Sequence, residues 1–303
     1  MFSLFSLLAT TATLAQPSTF TETLYTSWGQ TFTIDEKVHQ EKTELQDLII
    51  FDNAFFGRVM ALDGVIQLTE KDEPIYHEMM VHVPILTHGN ARSVLVIGGG
   101  DGGSLREVLK HSNVERLVLV EIDQSVIDLC KEYLPGLSQG AFEDPRVQVV
   151  IKDASEYVKQ QGELFDVIIC DSTDPIGPGQ VLFTEEFYGG CKSRLNEGGI
   201  FVNQNGVPFF QKDELEMTAH NRKPHFKNVS FYVAPVPTYA GGFMAFGWAS
   251  DTDYQVSEEV LSKRFKDLGI STFYYTPQIH RACFALPQFF YEGGLEIGTA
   301  ITF

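Results

Sequence analysis

The stretch SVLVIGGGDGGSLREVLKH, Ser93 to His111, decides the fold. SVLVIG is a short apolar run suited to a buried strand, GGGDGG is a turn, and SLREVLKH has helical spacing. Downstream the texture repeats. Strands read RLVLVEID, RVQVVIKD, FDVIICD, GGIFVNQ, VSFYVAPV and FMAFGWAS, and helical patterns such as SVIDLCKEYL and EEVLSKRFKDL lie among them. Apolar strands alternating with crossover helices predict an α/β fold with a doubly wound, mostly parallel sheet. Its last two strands, joined by a short turn around Ala240-Gly241-Gly242, are expected to run antiparallel.

Toward the N-terminus the pattern changes. From Gln30 to Glu73 the chain reads as a β-meander of GQTFTI, ELQDLIIFD, GRVMALD and VIQLTE. Asn53 falls in one connection, and Asp63-Gly64 is a two-residue hairpin signal. YHEMMVHVPILTH, Tyr76 to His88, reads as an amphipathic helix. The expected division is an unassigned extension over 1–20, a small β-strand domain over 21–78, and the α/β domain over 79–303. The first residues, MFSLFSLLATTATLAQP, are apolar with a small-residue site at Ala15, but the first Lys or Arg is Lys37. Without a positive n-region they are expected to be an extension or a misassigned start rather than a signal peptide. The closing LEIGTAITF is unusually apolar for a tail, which suggests packing.

Composition sets limits. The 303 residues are 44% apolar, enough to fill a large core. Lys and Arg number 22 against 40 Asp and Glu, a net charge of −18. That excludes non-specific nucleic-acid binding as a leading function and suits cationic ligands. No apolar run reaches the roughly 20 residues of a membrane span. Cys130, Cys170, Cys191 and Cys283 form no C-x-x-C pair, so metal spacing is absent, and buried thiols in a reducing cytoplasm are the simplest account.

Ligands of such sheets bind beyond the carboxyl ends of the strands. Gly98, Gly100 and Gly102 let backbone approach a ligand there, and Asp101 among them would repel phosphate and attract a cation. Glu121 ends the second strand, where an acid accepts ribose hydroxyls. Asp153 ends the third, placed for an adenine edge, and Asp171 ends the fourth. Any one could be a helix cap. Four in succession at one face point to an adenosine-containing ligand without phosphate.

The stretch VIICDSTDPIGPGQVLF, Val167 to Phe183, carries the chemistry. Asp171 and Asp174 stand at the end of a buried strand, under a stiff loop of Pro175, Gly177, Pro178 and Gly179. Alkylammonium groups have a pKa near 10, like lysine. An amine acceptor must therefore be bound and deprotonated before it can attack a carbon beside a sulfonium. Asp171 suits the base, Asp174 an amine contact, and the loop a lid that excludes water. Asp101 favours a sulfonium donor whose tail has lost its carboxylate and ends in an ammonium.

EKTELQDLIIFDN, FGRVMALDGVIQLTEKDEPIYHEMM, IGGGDGG, VEID, CDSTDPIGP, QNG and PTYAGG together resemble spermidine synthases, polyamine aminopropyltransferases of the bacterial type, from about Trp28 to Gln288. The resemblance implies an N-terminal β-domain joined to a methyltransferase-like Rossmann domain. It implies transfer of an aminopropyl group from decarboxylated S-adenosylmethionine to putrescine, giving spermidine and methylthioadenosine. No metal or bound cofactor is implied; a homodimer or homotetramer is. Asp171 would be the proton acceptor. Gln46, Glu121, Asp153 and Pro178 would contact the methylthioadenosine portion, with the Ala154 backbone beside the adenine. Tyr76, His77, Asp101, Asp174 and Tyr239 would surround the amines. Ala154 stands where the family more often has Gly.

Read singly, Tyr76 and Tyr239 could be aromatic packing, His77 a core histidine, Gln46 and Gln67 polar-face residues, and Asp174 a turn initiator. Two rival functions remain open at this level. One is an amine N-methyltransferase using intact S-adenosylmethionine, and the other is a catalytically silent polyamine- or nucleoside-binding protein.

Overall fold

The computed structural model describes residues 17–43, 45–294, 297, 298 and 300–303. The reading of the leader-like residues 1–16 lies outside them. β1 (Thr19–Thr21) pairs antiparallel with β2 (Thr31–Thr33), so Thr19 and Phe20 of the expected extension belong to a strand. β3 (Glu36–Lys42), β4 (Asp47–Asn53), β5 (Gly57–Leu62) and β6 (Val65–Thr69) form a second antiparallel sheet, paired in chain order. β3 is absent from the sequence reading for a physical reason. It is an edge strand of sequence EKVHQEK with no buried residue, so it carries no apolar alternation. Asp63 and Gly64 both take positive φ, 48° and 81°, as the two-residue hairpin requires.

α1 (Glu73–His88) follows, with a proline in its first turn and Gly89 at φ 78° closing it. It runs across the expected division at 78/79. It is also not amphipathic: 14 of its 16 residues are buried. The helix lies between the large sheet, α2 (Gly103–Leu109) and the helix Glu258–Leu268, which leaves no face for solvent.

The large sheet contains β7 (Ser93–Gly98), β8 (Arg116–Glu121), β9 (Val147–Ile151), β10 (Phe165–Asp171), β11 (Leu195–Gln204), β12 (Asn228–Ala234) and β13 (Met244–Ser250). Its order is β12-β13-β11-β10-β7-β8-β9. The five strands from β11 to β9 are parallel, and β13 pairs antiparallel with both β11 and β12. Alternate residues feed two cores. Val94, Val96, Leu117 and Leu119 pack on the α1 side, and Leu95, Ile97, Val118 and Val120 on the other. The apolar tail finds its place here. β14 (Tyr254–Gln255) pairs in parallel with β15 (Ile301–Thr302), and Ala300 and Ile301 join the α1-side core.

Two features position the site. Chain order reverses between β7 and β10, opening a crevice at their carboxyl ends. The small sheet then packs Leu48, Ile50 and Met60 onto Val126, Leu129 and Cys130 of α3 (Gln124–Tyr133), which walls the crevice on one side.

Candidate functional site

β10, β7, β8 and β9 are parallel neighbours, so their carboxyl ends share one edge of the sheet. There Asp171, Asp101, Glu121 and Asp153 line one cleft that opens to solvent. A second, smaller chamber adjoins it, and Tyr76, Asp174 and Tyr239 belong to both.

The glycine loop is shaped by what approaches it. Gly98 and Gly99 have φ 73° and 70°. A Cβ on Gly98 would stand 2.2 Å from the Asp171 carbonyl oxygen, and one on Gly99 2.8 Å from the Asp171 carboxylate. One on Gly100 would meet Glu121 Oε2 at 3.0 Å. Gly102, expected against the ligand, instead faces Ser138 and Phe142, and its φ of 81° serves the turn into α2.

Asp171 lines the cleft, with both carboxylate oxygens engaged by hydroxyls. Tyr76 Oη donates to Oδ1 at 2.7 Å and Ser104 Oγ to Oδ2 at 2.6 Å. Burial and the neighbouring Asp101 charge push its pKa up. Burial alone would raise Asp101 too, but His77 and the Gly103 N–H, at 2.6 Å, hold it below the usual carboxylate range. His77 presents Nδ1 to Glu73 at 2.6 Å and Nε2 to Asp101 at 3.4 Å. Burial disfavours its charge, yet Asp101 and Glu73 outweigh burial and raise its pKa well above the ordinary value. His77, Asp101 and Asp171 bring ligand atoms within 4.8 Å of one another, close enough to consider a metal. Both ring nitrogens of His77 already face carboxylates, Nδ1 toward Glu73 and Nε2 toward Asp101.

On the far side of the cleft, Glu121 Oε1 accepts from the Ile122 and Asp123 N–H groups at 2.7 and 2.9 Å, leaving Oε2 toward Gly100. Burial lifts its pKa to about 7. Asp153 caps the helix Ala154–Lys159 through the Ser155 N–H at 2.7 Å and lines the cleft as well. Ala154, next in the chain, also lines the cleft. Gln46 stands at the rim, donating to Asp123 at 3.3 Å. Pro178 lies in the 3₁₀ helix Gly177–Phe183; its side chain is outside the described residues.

Sequence reasoning missed the second chamber's floor. Glu22, from the segment after β1, is buried there and accepts from Ile66 N and Gln30 Nε2, each at 3.0 Å; burial raises its pKa. Gln211 is fixed by Tyr25 Oη, at 3.1 Å, and by the Val207 N–H, at 2.6 Å. Burial raises the pKa of Asp174 beside them. Tyr239 stacks edge-on to Tyr76 at 5.8 Å and donates to the Gln67 carbonyl. Ser104 and Glu73 were missed as well. The Glu73–His77 spacing, four apart on a helix, was the signal that could have found Glu73.

Known proteins resemble this chain over most of its length. Residues 73–259 match the spermine/spermidine synthase domain, and residues 19–70 the spermidine synthase tetramerisation domain. The polyamine aminopropyltransferase 1 of Pseudomonas aeruginosa is 58% identical, over 90% of this chain and 96% of its own. The polyamine aminopropyltransferase of Salmonella typhimurium is 54% identical, over 92% and 98%. A crystal structure of spermidine synthase with the transition state analogue AdoDATO superposes with TM-score 0.85 at 38% identity, covering 90% of this chain and 94% of that one. Spermidine synthase from Thermotoga maritima gives 0.82 at 37% identity, with the same coverage. Such agreement, at high identity and across both sheets, places the chain in the spermine/spermidine synthase family.

Proposed function

We propose that the protein transfers the aminopropyl group of decarboxylated S-adenosylmethionine to putrescine, releasing spermidine and methylthioadenosine, with Asp171 as general base. The observation that carries this is that Asp171 lines the acid-lined cleft while its chain neighbours Ser172, Thr173 and Asp174 line both the cleft and the second chamber. Asp101 stands on the side of Glu121 and the glycine loop, and Asp174 on the side of Glu22. The first chamber suits a nucleoside with a cationic tail. The ribose hydroxyls would meet Glu121, the adenine would lie by Asp153 and Ala154 with Gln46 and Pro178 at its rim, and the tail ammonium would meet Asp101. The second suits a diamine, held by Asp174 and flanked by Tyr76 and Tyr239.

The near ammonium of the diamine gives a proton to Asp171. Its nitrogen lone pair forms a bond to the aminopropyl carbon beside the sulfonium. The carbon–sulfur bond breaks with its electron pair going to sulfur, which leaves a neutral thioether and a secondary ammonium. Charge is conserved, because the transferred proton carries the positive charge the sulfonium loses. Thr173 to Gly179, which borders the cleft, excludes water as the lid.

The donor is a co-substrate, and the chemistry calls for no metal or bound cofactor. Amine N-methylation and silent binding have no support from the relatives, which are named as aminopropyltransferases. Asp101 would also repel the carboxylate of an intact donor. We place the domain division in the turn before α1, and we take the enzyme as a homo-oligomer assembled through the N-terminal strands, in keeping with the tetramerisation description of residues 19–70. A cytoplasmic setting suits its four buried, unpaired thiols. No helix among the described residues is long and apolar enough to cross a membrane.

The test is incubation of purified protein with decarboxylated or intact donor and a panel of diamines, with products identified by mass. Spermidine and methylthioadenosine from the decarboxylated donor and putrescine are expected. Methylated amine from the intact donor would overturn the reading.

A further inference from the structure

We propose that Glu73 and Arg106 are positioning residues that hold His77 as an imidazolium, whose charge lets Asp101 and Asp171 stand ionised side by side. The inference rests on the reading of Asp171 as base and deepens it. Arg106 grips Glu73 with a two-pronged contact, Nη1 to Oε1 and Nη2 to Oε2, each at 2.9 Å. The guanidinium is itself fixed by the Leu137 carbonyl at 2.7 Å and Glu107 at 2.8 Å. Glu73 then holds His77 at 2.6 Å, and His77 faces Asp101 at 3.4 Å. His77 is 2% exposed, Glu73 7% and Arg106 8%, so water screens these charges little.

Charges alternate along this row, ending on Asp101. Asp171 is left as the carboxylate with hydroxyl partners only. Two carboxylates this close share a proton unless a cation stands between them. A base must be unprotonated before the amine arrives. The groups that face the cluster are Glu73 and Tyr76 on α1, Arg106 on α2, Cys130 on α3, and Tyr239. Arg106 is the one other cation among them, and its fork is spent on Glu73 and Glu107. His77 therefore supplies the neutralising charge, and its burial lets it do so only with Glu73 at its other nitrogen.

The test is Glu73→Gln, which keeps shape and removes charge. For the amine, at saturating donor, the acid limb of kcat/KM should move up by about one pH unit, the low end of what an adjacent opposite charge contributes. Above that limb the rate should return toward the wild-type value. Arg106→Lys, which keeps charge but not the fork, should shift it less. In a His77→Gln background, Glu73→Gln should shift it no further.

Histidine-ring ¹⁵N spectra read the same point without activity. Both nitrogens of His77 should stay protonated at pH 8 in the wild type, and in Arg106→Lys to a lesser degree should Glu73→Gln fail to fold. Loss of aminopropyl transfer altogether would strike the functional reading, whereas these spectra judge the inference by itself. A neutral His77 at pH 7 in the wild type would overturn it. So would a Glu73→Gln deficit equal at every pH, or an undiminished shift in the His77→Gln background.

Discussion

Asp171 and Asp174 are three residues apart and carry different expectations. Asp171→Asn keeps the side chain's shape between Tyr76 and Ser104 but removes the carboxylate proposed as the base. Turnover should fall by about 10²–10⁴, the usual worth of a positioned general base, with methylthioadenosine affinity little changed. Burial and Asp101 raise the Asp171 pKa, so wild-type activity should fall on acidification at a pH above the ordinary carboxylate range. Part of the mutant's deficit should return at high pH, where more amine is free. Asp174→Asn should raise the amine KM more than it lowers kcat. Initial rates across pH check both; exchanged behaviour would mean exchanged roles.

Glu121 gives a second expectation at this scale. With its folded pKa near 7 and an ordinary value of 4.5, the folded protein binds the extra proton between those pH values. Stability should therefore drop as pH rises through that window and level off above it, by an amount on the order of 3 kcal/mol. Glu121→Gln should flatten the drop in urea titrations at pH 5 and 8. Methylthioadenosine should bind the wild type more tightly as Glu121 ionises, since a carboxylate accepts ribose hydroxyls better than the acid does. Calorimetry across the same pH range would show it, and a pH-independent affinity would count against a ribose contact.

Among the elements, α1 joins most of the molecule. One face carries Glu73, Tyr76 and His77 to the cleft, while Glu78 faces away. The Glu78 carboxylate accepts the N–H groups of Phe273, Tyr274 and Tyr275 at 2.6, 2.8 and 2.7 Å. An amide there must turn an N–H₂ toward backbone donors. Glu78→Gln should cost about 2–3 kcal/mol of stability, the scale of a lost charge-assisted bond plus an unsatisfied group, and leave the nucleoside affinity intact. Urea unfolding and calorimetry separate the two effects. The helix was legible as a helix from its apolar residues over Tyr76 to His88. Its burial on every side was not, because a strongly apolar segment reads alike whether one face or all of them are covered.

At the scale of the whole molecule, distant segments meet. Ile301 and Thr302 pair with Tyr254 and Gln255, the Thr302 carbonyl accepts from Val256 N at 3.0 Å, and Gly298 N donates to the Val229 carbonyl at 2.9 Å. Removing residues 298–303 strips Ile301 from the core and frees an edge of β14. That should cost roughly 2–3 kcal/mol, about the worth of one buried aliphatic side chain. The melting temperature should fall by several degrees while the amine KM stays unchanged; a changed KM would show that the tail reaches the site.

The sequence alone determined the parallel sheet, the glycine loop and the acids at the strand ends, because each is local. A strand's apolar run, a turn's glycines and a strand-terminal carboxylate sit within a few residues of one another, and period and spacing expose them. It also marked Asp171 and Asp174 through an unusual neighbourhood of acids and prolines. Only the tertiary structure decided which groups surround them. Ser104 reaches Asp171 from α2, Glu22 closes the second chamber from the first strands, and Arg106 finds Glu73 across two helices. Those partners are tens to more than a hundred residues apart, and no sequence period relates them. What selects them is burial: carboxylates and an imidazole removed from water must be met by hydroxyls and opposite charges, and only the packed fold determines which stand within reach.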